Sequence, residues 1–173
     1  PLVSSLEELR AARECVTESL RDLQDEGLAC NCEPELGIMI ESPAAVELAP
    51  ALAREADFFS IGTNDLLQYL LAVDRTNEHV AGLYIDHHPV IFRGIKKVID
   101  AAGAASIPLS VCGEMAANPR VLPVLIGMGL RSLSIEPRSI GRVRSAIADI
   151  DLPEAEARAA RVLQSDEITA TEA

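Results

Sequence analysis

Four short apolar stretches of this sequence each end in polar residues that could do chemistry. In chain order, the polar residues are Glu41, residues 62–65 (Gly-Thr-Asn-Asp), residues 112–114 (Cys-Gly-Glu), and Glu136 with Arg138. In parallel α/β folds the functional groups gather at the carboxyl ends of the strands, which open at one mouth. We therefore expect these side chains to converge on one site.

Two of these residues are carboxylates that follow adjacent predicted strands, Glu41 and Asp65. Hard oxygen ligands placed in this way suit Mg²⁺, which keeps some waters and takes its remaining ligands from a substrate anion. Gly62 would let the backbone approach a ligand closely. Arg75, one short helix further on, could clamp a phosphate or carboxylate. It could equally form a surface pair with Asp74.

The thiol of Cys112 would face this metal-bound anion, either as a nucleophile or as a proton donor. A substrate anion beside it would keep it a thiol, which favours the donor role. Taken singly, each residue has a simpler interpretation: Asn64 and Asp65 as helix N-caps, Cys112 as a small buried hydrophobe, Glu41 as a charge at a helix dipole. Their joint placement at successive strand ends favours a Mg²⁺–anion site.

Short apolar runs that alternate with amphipathic stretches predict parallel βα units. Strands are predicted at residues 36–40, 57–61, 109–112 and 132–135, and helices at residues 5–26, 42–56, 66–73, 89–104, 119–127, 139–148 and 153–163. Ser5 with Glu8 has capping-box spacing, and Ser42 before Pro43 marks another helix start. A closed (β/α)₈ barrel needs eight such units. The chain is therefore a small open α/β sheet or half of a barrel.

The composition limits the classes of function. The formal charge of −12 over 173 residues disfavours nucleic acids and anionic membranes as partners. No apolar run reaches spanning length, and the first residues do not resemble a signal peptide. The chain does not begin with Met, so a fragment or a processed product is expected.

The four cysteines form neither a dense disulfide framework nor a standard zinc spacing. A cytoplasmic protein with free thiols is therefore expected. Cys30 and Cys32 form a C-x-C beside a predicted loop, where they are either two surface thiols or a soft-metal pair. We favour the first alternative.

Four segments carry a family resemblance: "GIMIESPAA", "DFFSIGTNDLLQYLLAVDRTN", "LSVCGEMA" and "LIGMGLRSLSI". They resemble the C-terminal, phosphoenolpyruvate-binding domain of the phosphoenolpyruvate–protein phosphotransferases, enzyme I of the bacterial sugar phosphotransferase system. The resemblance covers residues 1–163 and implies the second half of a (β/α)₈ TIM-type barrel, about strands five to eight. Residues 164–173 are expected to be a disordered polar tail.

The resemblance also implies roles for single residues. Glu41 and Asp65 match the Mg²⁺ ligands, Asn64, Asp65 and Arg75 match phosphoenolpyruvate contacts, and Cys112 matches the residue that protonates C3 of the enolate. The implied reaction moves the phosphoryl group from phosphoenolpyruvate to an enzyme histidine and on to the phosphocarrier protein HPr, releasing pyruvate. A cytoplasmic homodimer is implied as well.

The sequence departs from the complete family pattern in several ways. The phosphorylated histidine, the HPr-docking region and the arginines of the earlier barrel strands lie outside these residues, so the isolated chain is expected to be inactive. Glu136 stands where the family tends to have a small residue. Two alternatives remain: a stand-alone half-barrel that binds or assembles without catalysis, and a fragment of a pyruvate phosphate dikinase or phosphoenolpyruvate synthase relative.

Overall fold

Three short parallel strands, β1 (Ile38–Ile40), β2 (Phe59–Gly62) and β3 (Leu109–Cys112), form the sheet in the order β1-β2-β3. The computed structural model describes residues 1–171. Ile40 pairs with Ile61, and Ile61 pairs with Val111. These three side chains are fully buried in the core. The prediction of parallel βα units is confirmed at this level.

The two faces of the sheet are buried to different degrees. Because side chains alternate along a strand, the face opposite the Ile40 row carries Met39, Ser60, Ser110 and Cys112. These four residues are only partly buried, and none belongs to the main hydrophobic core. The helices of the described chain therefore bury one face and leave the other less covered.

Residues 1–171 contain seven α-helices, of which the first precedes the sheet and the others connect or follow the strands. They are α1 (Leu6–Asp25), α2 (Pro43–Leu52), α3 (Thr63–Leu71), α4 (Pro89–Ala105), α5 (Leu122–Gly127), α6 (Ile140–Ala148) and α7 (Leu152–Gln164). Ser5 caps α1 and Ser42 caps α2 through hydrogen bonds to backbone N–H groups three residues on, as predicted. The Glu8 carboxylate turns back to Ser4 rather than to Ser5.

The predicted fourth strand at residues 132–135 is reduced to a single parallel bridge between Leu133 and Val111. Two backbone hydrogen bonds make the bridge, from Val111 N–H to Ser132 O and from Ser134 N–H to Val111 O. Among residues 1–171 no strand pairs with the outer side of this segment. The segment therefore lies at an edge, and its ladder ends after one step.

The helix predicted at residues 66–73 begins three residues earlier, directly after β2. Asn64 and Asp65 consequently lie in the first turn of α3, and its N-cap position is Gly62, which makes no side-chain cap. The N-cap interpretation of Asn64 and Asp65 is therefore wrong. The reason is that the chain turns from strand to helix at Gly62 without an intervening loop.

The last turn of α7 and the residues directly after it contact α4 through Arg93. Its guanidinium donates to the carbonyl oxygens of Leu163 and Ser165 and pairs with Asp166 at 2.6 Å. The predicted tail at residues 164–173 is thus held at its start, while residues 172–173 lie outside the described part of the chain. Within residues 1–171 no helix has both the length and the apolar character needed to cross a membrane.

Candidate functional site

Glu41 is the first residue after β1, and its side chain is buried although it is charged, with 3% of its surface exposed. The backbone N–H of Leu2 donates a 2.6 Å hydrogen bond to Glu41 Oε1. Leu2 has a left-handed φ of 55°, which is rare for a residue with a side chain. On the other side, a Cβ added at Gly62 would lie 2.8 Å from Glu41 Oε2. Gly62 is therefore needed for the carboxylate to fit.

Cys112 ends β3 and pairs with Gly62 in the sheet register. Its thiol is partly buried, donates to the carbonyl oxygen of Ile61 at 3.4 Å, and lies 3.7 Å from the hydroxyl of Ser60. Both partners are uncharged, and the carbonyl oxygen accepts the thiol proton. The thiol of Cys112 thus donates to one neighbour on β2 and accepts from another.

Two side-chain hydrogen bonds join the ends of β2 and β3. The Thr63 hydroxyl, which is buried, donates to the carbonyl oxygen of Cys112 at 2.8 Å, and the backbone N–H of Glu114 donates to Asn64 Oδ1 at 3.1 Å. Gly113 lies between these bonds with φ +97°, and a Cβ there would come within 2.4 Å of Thr63 Oγ1. The role of the Thr63 hydroxyl is not predictable from local sequence, because it depends on the contact with β3.

Asp65 and Arg75 are brought together, with 3.6 Å between the guanidinium and Asp65 Oδ1 and about two fifths of each side chain exposed. The loop that carries Arg75 is ordered by its neighbour. Asp74 Oδ1 accepts hydrogen bonds from the hydroxyl and the backbone N–H of Thr76, and these bonds lower the pKa of Asp74. Asp74 therefore stabilises the turn through Thr76, and Arg75 pairs with Asp65 at the candidate site instead of with Asp74.

Tyr84 also belongs to the site, although it is not among the residues predicted from the sequence. Its hydroxyl donates to the backbone carbonyl of Asn64 at 3.0 Å. Burial raises the pKa of Tyr84, and the nearby Arg75 charge partly opposes this effect. The only signal in the sequence was an aromatic residue shortly after the arginine loop, in a chain with two tyrosines.

A cleft of about 980 Å³ opens beside these residues. Its lining includes Asn64, Tyr84 and Glu114 on the side of β2 and β3, and Glu136 and Arg138 across from them. Glu136 forms an exposed ion pair with Arg138. The cleft thus contains part of the strand-end site, while Glu41, Asp65, Arg75 and Cys112 lie outside its lining.

The histidines of this region have local partners. His87 Nδ1 lies 2.8 Å from an Asp86 carboxylate oxygen, and His88 Nδ1 accepts the backbone N–H of Val90 at the start of α4. These contacts tie both imidazoles to residues within two positions in the sequence. Within residues 1–171 no group of three or more His, Cys, Asp or Glu side chains is arranged to hold a metal ion. A metal ion bound at any one place among these residues would therefore have at most two His, Cys, Asp or Glu side chains as ligands.

Comparison with known proteins agrees with the resemblance seen in the sequence. Residues 1–152 match the family model described as PEP-utilising enzyme, PEP-binding domain. A phosphoenolpyruvate-protein phosphotransferase of Haloferax volcanii is 45% identical over 166 residues, which is 96% of this chain and 29% of that relative. One of Enterococcus faecalis is 46% identical over 151 residues, covering 87% of this chain and 26% of the relative.

A further relative, from Escherichia coli, is named phosphoenolpyruvate-dependent phosphotransferase system and is 41% identical over 165 residues. That match covers 95% of this chain and 22% of the relative. The chain thus spans less than a third of the length of each of these three proteins. By the family model and by these identities, it belongs to the PEP-utilising enzymes and corresponds to their PEP-binding domain.

Proposed function

We propose that this chain binds phosphoenolpyruvate at the carboxyl ends of its strands, as part of a phosphotransferase that passes the phosphoryl group to a protein histidine and then to a phosphocarrier protein of the HPr type. The observation that carries the proposal is the family match over residues 1–152, together with relatives named as phosphoenolpyruvate-protein phosphotransferases. The contacts among the strand-end residues supply the chemistry.

Asn64 and Arg75 are proposed to hold the substrate oxygens. The Asn64 Oδ1 atom already accepts the Glu114 N–H, which leaves the amide NH₂ group free to donate to a phosphate or carboxylate oxygen. Arg75 lies 3.6 Å from Asp65 with part of its guanidinium exposed, so it has capacity for a second anion. Tyr84 supports Asn64, because its hydroxyl donates to the Asn64 backbone carbonyl.

Glu41 and Asp65 are proposed to hold Mg²⁺. The donor set fits, since Mg²⁺ is commonly bound by one or two carboxylates and completed by waters and substrate phosphates. Glu41 is buried with one oxygen fixed by the Leu2 N–H, and Gly62 leaves room beside the other oxygen. When bound, the ion would neutralise charge on the phosphoryl group during transfer.

Cys112 is proposed to protonate C3 of the enolate that remains after the phosphoryl group leaves. Its thiol is held at the end of β3 by a hydrogen bond to the Ile61 carbonyl oxygen at 3.4 Å, and the proposed step uses the proton of that S–H group. Donation to carbon forms the methyl group of pyruvate and leaves a thiolate, which must regain a proton from solvent before the next turnover.

The sheet is proposed to be part of a (β/α)₈ barrel whose other strands come from the rest of the intact protein. In such a barrel, the partly buried face with Met39, Ser60 and Ser110 would point to the barrel interior, and the edge at Leu133 would pair with a further strand. The histidine, the phosphocarrier-docking region and a homodimer interface are likewise assigned to the intact protein.

The test uses the intact protein with the substitution Cys112→Ala. Because general acid catalysis contributes about 100- to 10,000-fold, we expect pyruvate formation to fall by at least 100-fold while Mg²⁺-dependent phosphoenolpyruvate binding stays measurable. The matched control is Cys15→Ala, which removes an exposed thiol on α1 and should leave turnover unchanged.

Two results would contradict the proposal. Normal turnover in the Cys112→Ala protein would remove the proton-donor role. Absence of phosphoenolpyruvate binding in the intact parent protein would remove the substrate assignment. The isolated chain should transfer no ³²P label from phosphoenolpyruvate to HPr, since the proposal assigns the phosphorylated histidine to the rest of the intact protein.

A further inference from the structure

Two cysteines that the proposed function does not use lie together on the loop between α1 and β1. Cys30 and Cys32 have their sulfur atoms 4.0 Å apart, and neither forms a disulfide in the structure. In an extended chain, the Cα atoms of residues two apart are separated by about 6.5 Å, and their side chains point to the same face. Here the Asn31 side chain accepts the backbone N–H of Glu33 and bends the loop, which brings the two thiols closer.

The two thiols have different surroundings. Cys32 is exposed, its sulfur accepts a hydrogen bond from the amide Nε2 of Gln24 at 2.9 Å, and it lies 3.7 Å from the carbonyl oxygen of Cys30. Cys30 is partly buried, and burial together with the neighbouring Cys32 raises the pKa of the Cys30 thiol. Cys32 is therefore the thiol that an oxidant in solution reaches first, and Cys30 is placed to react second.

We propose that Cys30 and Cys32 are a peroxide-sensitive pair that closes a reversible disulfide. The Cys32 thiolate attacks one oxygen of hydrogen peroxide, the O–O bond breaks, and a sulfenic acid and one water form after protonation of the departing hydroxide. The Cys30 sulfur then attacks the Cys32 sulfur, the S–O bond breaks, and a second water leaves. The two thiols lose two electrons in total, and the peroxide gains them.

The charge around the loop selects the class of oxidant. Four carboxylates lie near the pair in the sequence: Asp25, Glu26, Glu33 and Glu35. They disfavour anionic oxidants such as glutathione disulfide but leave the approach of neutral hydrogen peroxide unaffected. The other two thiols lack a second sulfur close by among the described contacts, since Cys15 lies alone on α1 and Cys112 is bonded at the opposite, carboxyl end of the sheet.

The test treats the intact protein with hydrogen peroxide, counts free thiols, and maps the oxidised peptides by mass spectrometry. From this chain we expect the loss of two of its four thiols, a linked peptide that contains both loop cysteines, and full recovery with dithiothreitol. Oxidation of Cys15 or Cys112 ahead of the loop, or a disulfide between molecules, would overturn the proposal.

Single substitutions test the order of the two steps. In a Cys30→Ser protein, Cys32 should accumulate as a sulfenic acid that a dimedone-type probe labels, whereas a Cys32→Ser protein should show little labelling at Cys30. Equal labelling in the two variants would refute the assigned order. Circular dichroism checks that both variants are folded, and the peptide map of the unsubstituted protein decides the pairing if either is not. Phosphoenolpyruvate binding is not part of the readout, so the outcome is independent of the proposed function.

Discussion

Gly113 offers the sharpest test of how the two strand ends are held together. Its backbone has φ 97° and ψ 179°, a combination that is essentially restricted to glycine. A Cβ there would also lie 2.4 Å from Thr63 Oγ1 and 2.8 Å from Asn64 Oδ1. The substitution Gly113→Ala should therefore disturb both hydrogen bonds that join β2 to β3.

The expected cost follows from these contacts. The backbone conformation costs a residue with a side chain about 1–3 kcal/mol. The hydrogen bonds of Thr63 and Asn64 contribute about 1 kcal/mol each. We therefore expect the local free energy of opening to fall by about 3–5 kcal/mol, which corresponds to at least 100-fold faster exchange under native conditions.

Hydrogen exchange measured by mass spectrometry is the assay, because it reports on the peptide that contains the Glu114 N–H. Two glycines provide controls. Gly103 in α4 has open space around its Cβ position, so Gly103→Ala should be neutral or stabilising by up to about 1 kcal/mol. Gly127 packs on the Ala155 carbonyl, where a Cβ would come within 2.1 Å, so Gly127→Ala should destabilise the contact between α5 and α7.

The comparison separates a local effect from a general loss of stability. Gly113→Ala should weaken phosphoenolpyruvate binding at a temperature where the protein is folded, whereas Gly127→Ala should leave binding unchanged there. If Gly113→Ala exchanges as slowly as the parent and binds equally well, the hydrogen bonds between the strand ends do not hold the site, and the reasoning is wrong.

Three further predictions rest on single contacts. Tyr84→Phe should raise the KM for phosphoenolpyruvate by roughly fivefold in steady-state kinetics of the intact protein, because it removes a hydrogen bond worth about 1 kcal/mol to the Asn64 carbonyl; an unchanged KM would contradict the positioning role. Arg93→Ala should make the peptide that contains Asp166 more sensitive to limited proteolysis, since three contacts to the chain end are lost; equal cleavage would contradict this. The folded-state pKa of Asp74 is lowered, so its hydrogen bonds to Thr76 stabilise the turn at neutral pH and are lost as the pH falls through that lowered value. The amide NMR signal of Thr76, followed against pH, should therefore show the turn loosening on the acid side. A transition on the alkaline side instead would refute this prediction.

The regular elements were readable from local patterns. The apolar run at β3 ends at Cys112 as predicted, and Ser5 and Ser42 start their helices because their side chains satisfy N–H groups that lie within three residues. Such signals depend on neighbours in the chain. The predicted strand at Leu133 shortened to one bridge because its backbone stays in register with β3 only beside Val111, and a local pattern does not report such pairing.

The candidate site divides in the same way. The sequence alone determined which residue types stand at the strand ends, because the alternation of strands and helices places Glu41, Asp65 and Cys112 at one end of a parallel sheet. Only the tertiary structure decided how they are held. Leu2 donates to Glu41 across 39 positions and Thr63 to the Cys112 carbonyl across 49, and no local pattern encodes bonds between such distant segments. The types of group in the site are thus a property of the sequence, and their geometry is a property of the packing between strands.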